Sequence, residues 1–236
     1  MRKFLFNFIF SALIVTSISV PAAFAQDDPA VDDVLFDAAE RLKETETMEF
    51  VMELEGTTFV DDAETIQLLG AEGVMQRPDR VDVTFTAMIL GRQQISIRMI
   101  NVGDDSWITD IVTGKWVPSP PEFGYNPSIL YDDQHGLGPV MERMNDPKIV
   151  GSEEIDGKDT WHITASADGD IIKMMTSDTL RGSEHALDIW VDKETNDILQ
   201  ISIAEPTDED LEDPATLTLK LSEHDKDVTI EPPTDD

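Results

Sequence analysis

Residues able to do bond chemistry are few in this sequence, and they are poorly grouped. There is no cysteine, which excludes a thiol nucleophile and a thiolate metal site. The four histidines, His135, His162, His185 and His224, are scattered and share no metal-ligand spacing. No serine sits in G-x-S-x-G or S-x-x-K, and no H-E-x-x-H, G-x-G-x-x-G or P-loop occurs. Carboxylate pairs such as Asp104-Asp105 and Glu153-Glu154 are abundant, but 49 acidic residues make adjacent pairs ordinary. Neighbours along a strand also point to opposite faces, so such a pair makes a poor general acid and base. The acidic run EPTDEDLEDP at 205–214 lacks the ordered spacing and glycine of a calcium loop and reads as a solvated loop. The expectation is a protein that is not an enzyme and that uses no cofactor and no metal.

The elements that could position a binding site are clearer. Val34, Leu35, Ala38, Ala39 and Leu42 form one apolar stripe on a helix over about 33–45, with Asp32 or Asp33 as its cap. From there the period changes to two. Met48, Phe50, Met52 and Leu54 alternate with mostly polar neighbours, as do Val81, Val83, Phe85, Ala87 and Ile89. Ile95, Ile97 and Met99 follow, then Trp161, Ile163 and Ala165, then Leu187, Ile189 and Val191. Leu199, Ile201 and Ile203 come next, and Leu217, Leu219 and Leu221 close the series. One wet and one covered face per strand favours antiparallel pairing. Asp156-Gly157 is a short-hairpin signal, and DKETND at 192–197 joins two further strands. About eleven strands are expected, and His162 should lie on a wet face. Two segments interrupt the meander, 118–147 and 168–182, each with short helical pieces.

Trp107, Trp116, Trp161 and Trp190 all fall in expected strands, where core or barrel-rim packing is the usual reading. Met48, Met52, Met88, Met99, Met141, Met144, Met174 and Met175 fall on apolar strand faces or in the insertions, and methionine suits a surface that must fit variable greasy ligands.

The N-terminus reads as an export signal. Arg2 and Lys3 precede an apolar run from Phe4 to Val20, then Pro21 and the small-x-small Ala23-Phe24-Ala25. Cleavage is expected after Ala25, followed by a flexible lead over 26–32, one domain over 33–233 and a tail at 234–236. A formal net charge of −32 opposes nucleic acid and leaves no polybasic surface for anionic lipid.

The order of these pieces resembles the LppX/LprA/LprF/LprG family of cell-envelope lipid-binding lipoproteins. The resemblance rests on G-x-E-x-I-D-G-K-x-T-x-H-I at 151–163, W-V-D-x-E-T-x-x-I at 190–198 and S-E-H-D-K-D-V-T-I-E-P-P at 222–233. It implies an α+β, mainly β fold: a single strongly curved antiparallel half-barrel sheet with helices on its concave face. The wider fold group includes the lipoprotein carrier LolA. It also implies an exported carrier that holds the acyl chains of a lipid or lipidated ligand, receives them from or passes them to a membrane or transporter, and works as a monomer. The expected lining is Phe50, Met52, Leu54, Val83, Phe85, Ala87, Ile97 and Met99, with Ile129, Leu130, Met141 and Met144 in a helical lid. The family's lipidated cysteine is missing, since Gln26 follows Ala25, so an untethered periplasmic, envelope or secreted form is implied. A sensor or assembly factor binding a protein partner on the same fold is the alternative. A lipid hydrolase is a second rival, but no nucleophile constellation supports it.

Overall fold

The computed structural model describes residues 29–59, 63–120, 136–176, 179–207, 209, 211 and 213–234. Its strands are β1 (Thr47–Glu55), β2 (Ile66–Gln76), β3 (Arg80–Ile89), β4 (Gln93–Val102), β5 (Asp105–Thr109), β6 (Trp116–Pro118), β7 (Asn145–Ile155), β8 (Lys158–Asp168), β9 (Glu184–Asp192), β10 (Ile198–Ala204) and β11 (Thr216–Ser222). They form one antiparallel sheet in the order β6-β5-β4-β3-β2-β1-β11-β10-β9-β8-β7. The chain thus meanders outward from β1 to one edge at β6 and crosses to the other edge at β7. It then meanders back until β11 pairs with β1. Among the described residues three helices accompany the sheet: α1 (Val31–Glu44), α2 (Leu137–Met141) and α3 (Gly169–Thr176).

Local chemistry explains most of these elements. Asp156 and Gly157 both take positive φ, 49° and 80°, and form the two-residue turn that the Asp-Gly pair favours between β7 and β8. Asp192 accepts the backbone N–H of Glu194 at 2.8 Å and so shapes the β9–β10 turn. The cap of α1 is neither Asp32 nor Asp33. The helix starts two or three residues earlier than they would require, from Ala30, and both aspartates lie in its first turn, where they favour the helix dipole instead.

The sheet must be curled. Ten inter-strand spacings of about 4.8 Å would make a flat sheet roughly 48 Å wide. Helix α1, with 14 residues, is only about 21 Å long. Even so, one apolar cluster joins Ile108 of β5 and Ile163 of β8 to α1, α2 and α3. Wrapping the sheet round its inner face brings these together.

Strand β2 marks one place where the curl is built, and its simple alternation is broken there. The register shifts between Leu68 and Gly70. A Cβ on Gly70 would lie 2.6 Å from the Met52 carbonyl oxygen, and one on Gly73 would lie 2.8 Å from the Val83 Cα and against the Asp82 carbonyl. Backbones this close leave no room for a side chain, as at the tight bends of barrels. We expect Gly73→Ala to lower stability by about 2 kcal/mol or more, read as a lower urea midpoint, with Gly114→Ala, in an open turn, as the milder comparison.

Candidate functional site: the inner face of the sheet

Pairing across the sheet aligns the alternating apolar residues into rows. One row runs over nine strands: Ile149, Ile163, Ile189, Ile201, Leu219, Met52, Ala71, Phe85 and Ile97. The next runs from Leu221 through Phe50, Gly73, Val83, Met99 and Ile108 to Val117. The helices pack on this same face. Helix α1 contributes Val34, Leu35, Ala38, Ala39 and Leu42, α2 contributes Leu137, Val140 and Met141, and α3 contributes Ile172 and Met175.

The cover is uneven. At one end of the sheet Met48, Met75 and Val81 are completely buried. There α1 is fastened by Arg41, whose guanidinium pairs with Asp197 at 2.8 Å and Asp225 at 2.7 Å. Arg77 adds hydrogen bonds to the Leu42 and Thr45 carbonyl oxygens, both 2.8 Å, where α1 ends. Towards the opposite end burial declines along β1, from Met48 and Phe50 to half-buried Met52 and Leu54. Phe85 and Ile89 of β3 and Ile66 of β2 are also only half-buried there. The inner face therefore has a closed end and a more open end, and the open part lies on β1–β3.

The sequence-predicted lining residues fall on this face. Phe50, Val83, Ala87, Ile97 and Met99 are buried, whereas Met52, Leu54 and Phe85 are half-buried. Met141 is buried in α2 and Met144 is half-buried just after it. Ile129 and Leu130 lie outside the described residues. Sequence reasoning missed Met75, Ala71 and Ile66, because the glycines and register shift of β2 hide its alternation. The apolar row itself continues onto β7–β11.

Polar groups gather at the open end beside α3. Glu205 is completely buried, so the solvated-loop reading of 205–214 is wrong at its first residue. Its carboxylate accepts hydrogen bonds from the Arg181 backbone N–H at 2.6 Å, Arg181 Nε at 3.1 Å and Nη2 at 3.0 Å, and the Ala215 N–H at 2.8 Å. Burial alone would raise its pKa, but these donors and the arginine charge hold it below the usual carboxylate range. His185 lies on the inner face opposite Ala167 and is fully buried, with neither ring nitrogen in a well-formed hydrogen bond. Burial pushes its pKa down, which favours the neutral ring.

The outer face holds the other ring cluster. His162 stacks on Trp190 with centroids 4.5 Å apart and meets Asp188 at 2.6 Å and Glu153 at 3.1 Å. Its wet-face placement matches the alternation. The tryptophans depart from the core reading. Trp107, Trp116 and Trp190 alternate with inward Ile108, Val117, Ile189 and Val191 and so face outward, and only Trp161 packs against the inner cluster. Among the described residues no three potential metal ligands come together, and no helix is long and apolar enough to cross a membrane.

A family model described as LppX_LprAFG lipoprotein matches residues 30–230. The chain belongs to the LppX_LprAFG family. A curated relative, "Lipoprotein LprA" of Mycobacterium tuberculosis, is 24% identical over 185 residues, which cover 73% of this chain and 70% of that protein. The crystal structure of LprF from Mycobacterium bovis has a TM-score of 0.68 at 17% identity, covering 87% of this chain and 98% of that one. That of Mycobacterium tuberculosis lipoprotein LppX has a TM-score of 0.60 at 16% identity, covering 86% and 100%. At such identities the likeness establishes the fold, an open antiparallel sheet with few helices.

The Glu205 ion pair gives a pH test. Because the folded carboxyl has the lower pKa, its stabilisation is present at neutral pH, above the unfolded pKa, and is lost as pH falls through the folded one. Glu205→Gln should cost about 2 kcal/mol at pH 7, and urea titrations of the two proteins should converge as the pH drops below the ordinary carboxylate range.

Proposed function

We propose that this protein is an exported, non-catalytic carrier that holds the acyl chains of a lipid or lipidated ligand between the curled sheet and its helices. The supporting observation is the half-buried apolar group of Met52, Leu54, Ile66, Phe85 and Ile89 at the open end of an otherwise covered apolar face. Membership of the LppX_LprAFG lipoprotein family favours the same reading. Hydrocarbon tails would find water-free contact there, at about 0.8 kcal/mol per buried CH2, offset in part by the cost of ordering the tail. Met52 and Met144 offer flexible thioethers that adapt to tails of different shape.

In this reading residues 1–25 direct export and are removed, and residues 33–233 act as one domain. Helix α2 with Met141, and Met144 just after it, serves as the lid. Gln26 stands where the family's lipidated cysteine would follow Ala25, which supports an untethered carrier, and in the same reading it works as a monomer.

Titration with a fluorescent fatty acid tests the proposal. The wild-type protein should bind the probe saturably. The double variant Met52→Trp/Phe85→Trp fills the open part of the face and should lose most of that binding. Both positions are half-buried, so the folding cost should stay near 1 kcal/mol, checked by urea titration. A double variant that is folded and binds the probe as well as wild type would rule out this lining.

A further inference from the structure

The open end of the inner face is bordered by apolar residues that the fold does not use. Leu90, Ile111 and Val112 are 65%, 54% and 91% exposed. Leu90 lies in the β3–β4 turn and Ile111 and Val112 in the β5–β6 turn. The pairs Ile89↔Gln93 and Ile66↔Ile89 put the β3–β4 turn at the sheet end that holds Leu54, Ile66 and Ile89, and the β5–β6 turn points towards the same end from Thr109, one residue beyond the Met99↔Ile108 pair. Leu90 also has φ 50°, a backbone conformation that a leucine enters at a cost and that Gly, Asn or Asp would fill more easily. Its side chain recovers none of that cost by burial. Apolar tips of this kind mark a contact surface.

Charge indicates what the surface meets. The chain as a whole has a formal net charge of −32 and no polybasic run for anionic lipid, so any attraction to such a surface must come from a local cluster that the fold sets apart from the acids. Yet residues 83–103 and 111–120 contain Arg92, Arg98 and Lys115 and no acidic residue at all. Of the acids beside these stretches, Asp82 pairs with Arg98 at 2.8 Å, Asp104 and Asp105 lie where β4 turns into β5 at the opposite end of the sheet, and Asp110 accepts the N–H groups of Val112 at 3.2 Å and Thr113 at 2.7 Å. Glu64 follows on the β1–β2 connection, and further carboxylates gather across the sheet at Glu184, Glu209 and Asp213. Trp116 is half-buried on the outer face beside the β5–β6 turn, and Arg98, paired with Asp82 at 2.8 Å, lies 5.6 Å from its ring centroid. Exposed aliphatic tips, flanking cations and an amphipathic indole are what a water–lipid interface selects.

We propose that the β3–β6 corner is a docking surface for an anionic lipid membrane. Leu90, Ile111 and Val112 enter the interface, and Arg92 and Lys115 meet the headgroups. This contact presents the open end of the inner face to the bilayer, so it extends the carrier reading, but it stands on separate residues. The acidic remainder of the surface orients the molecule by repulsion, leaving this corner as the one that approaches.

Vesicle flotation tests it, using the purified protein with vesicles of phosphatidylcholine alone or mixed with equal phosphatidylglycerol. Wild type should float with the mixed vesicles, and less so as salt rises. Leu90→Ser/Ile111→Ser/Val112→Ser should weaken that binding about ten-fold or more, Arg92→Gln/Lys115→Gln should lose the preference for anionic vesicles, and Phe36→Ser on exposed α1 should change neither. The triple variant should still bind the fluorescent fatty acid, which separates docking from cargo. A protein that floats but takes no fatty acid would defeat the carrier reading and leave the docking surface standing. The docking surface is overturned if wild type floats with neither vesicle, or if the triple variant floats like wild type. It is also overturned if the triple mutation abolishes a dimer in sedimentation while leaving flotation unchanged, since the tips would then bind a second copy.

Discussion

An antiparallel sheet with one apolar face must hide that face from water, and the eleven described strands make more of it than the described helices can cover flat. The structure answers this by curling. Pinched backbones at Gly70 and Gly73 bring β2 hard against its neighbours, and β1 and β11, the first and last strands, lie side by side in the middle of the sheet. The nine-strand row from Ile149 to Ile97 then faces inward on itself. What the curl encloses, the helices cover fully at one end and only beside α3 at the other.

That asymmetry organises the rest. Arg41 and Arg77 tie α1 to the sheet at the covered end, where the innermost methionines and valine are sealed. At the other end cover is thinner over β1–β3, while α3 and the Arg181–Glu205 pair close the β9–β11 side.

Much of this was legible from residue order. Strict alternation located β1, β3, β4 and β8–β11, because each has one wet and one covered face, and the Asp156-Gly157 pair fixed a hairpin. Eight of the lining residues named from sequence share the inner face for the same reason. Strand β2 was not legible, since its pattern is interrupted by the very glycines that permit the bend. The outward tryptophans were misplaced because residue type was weighed above parity: Trp190 sits between Ile189 and Val191 and must point the other way. Nor could alternation reveal which end of the face stays open, as that depends on where distant helices settle. The buried Glu205 was hidden in an acidic run whose other members gave no reason to single it out.

The claim beneath all of this is that hydrocarbon belongs on the inner face. Native mass spectrometry of freshly purified protein tests it most directly. The account predicts a species heavier than the polypeptide by the mass of one lipid, reverting to the bare mass after extraction with organic solvent. The polypeptide mass alone, unchanged even after incubation with lipid vesicles, would contradict it.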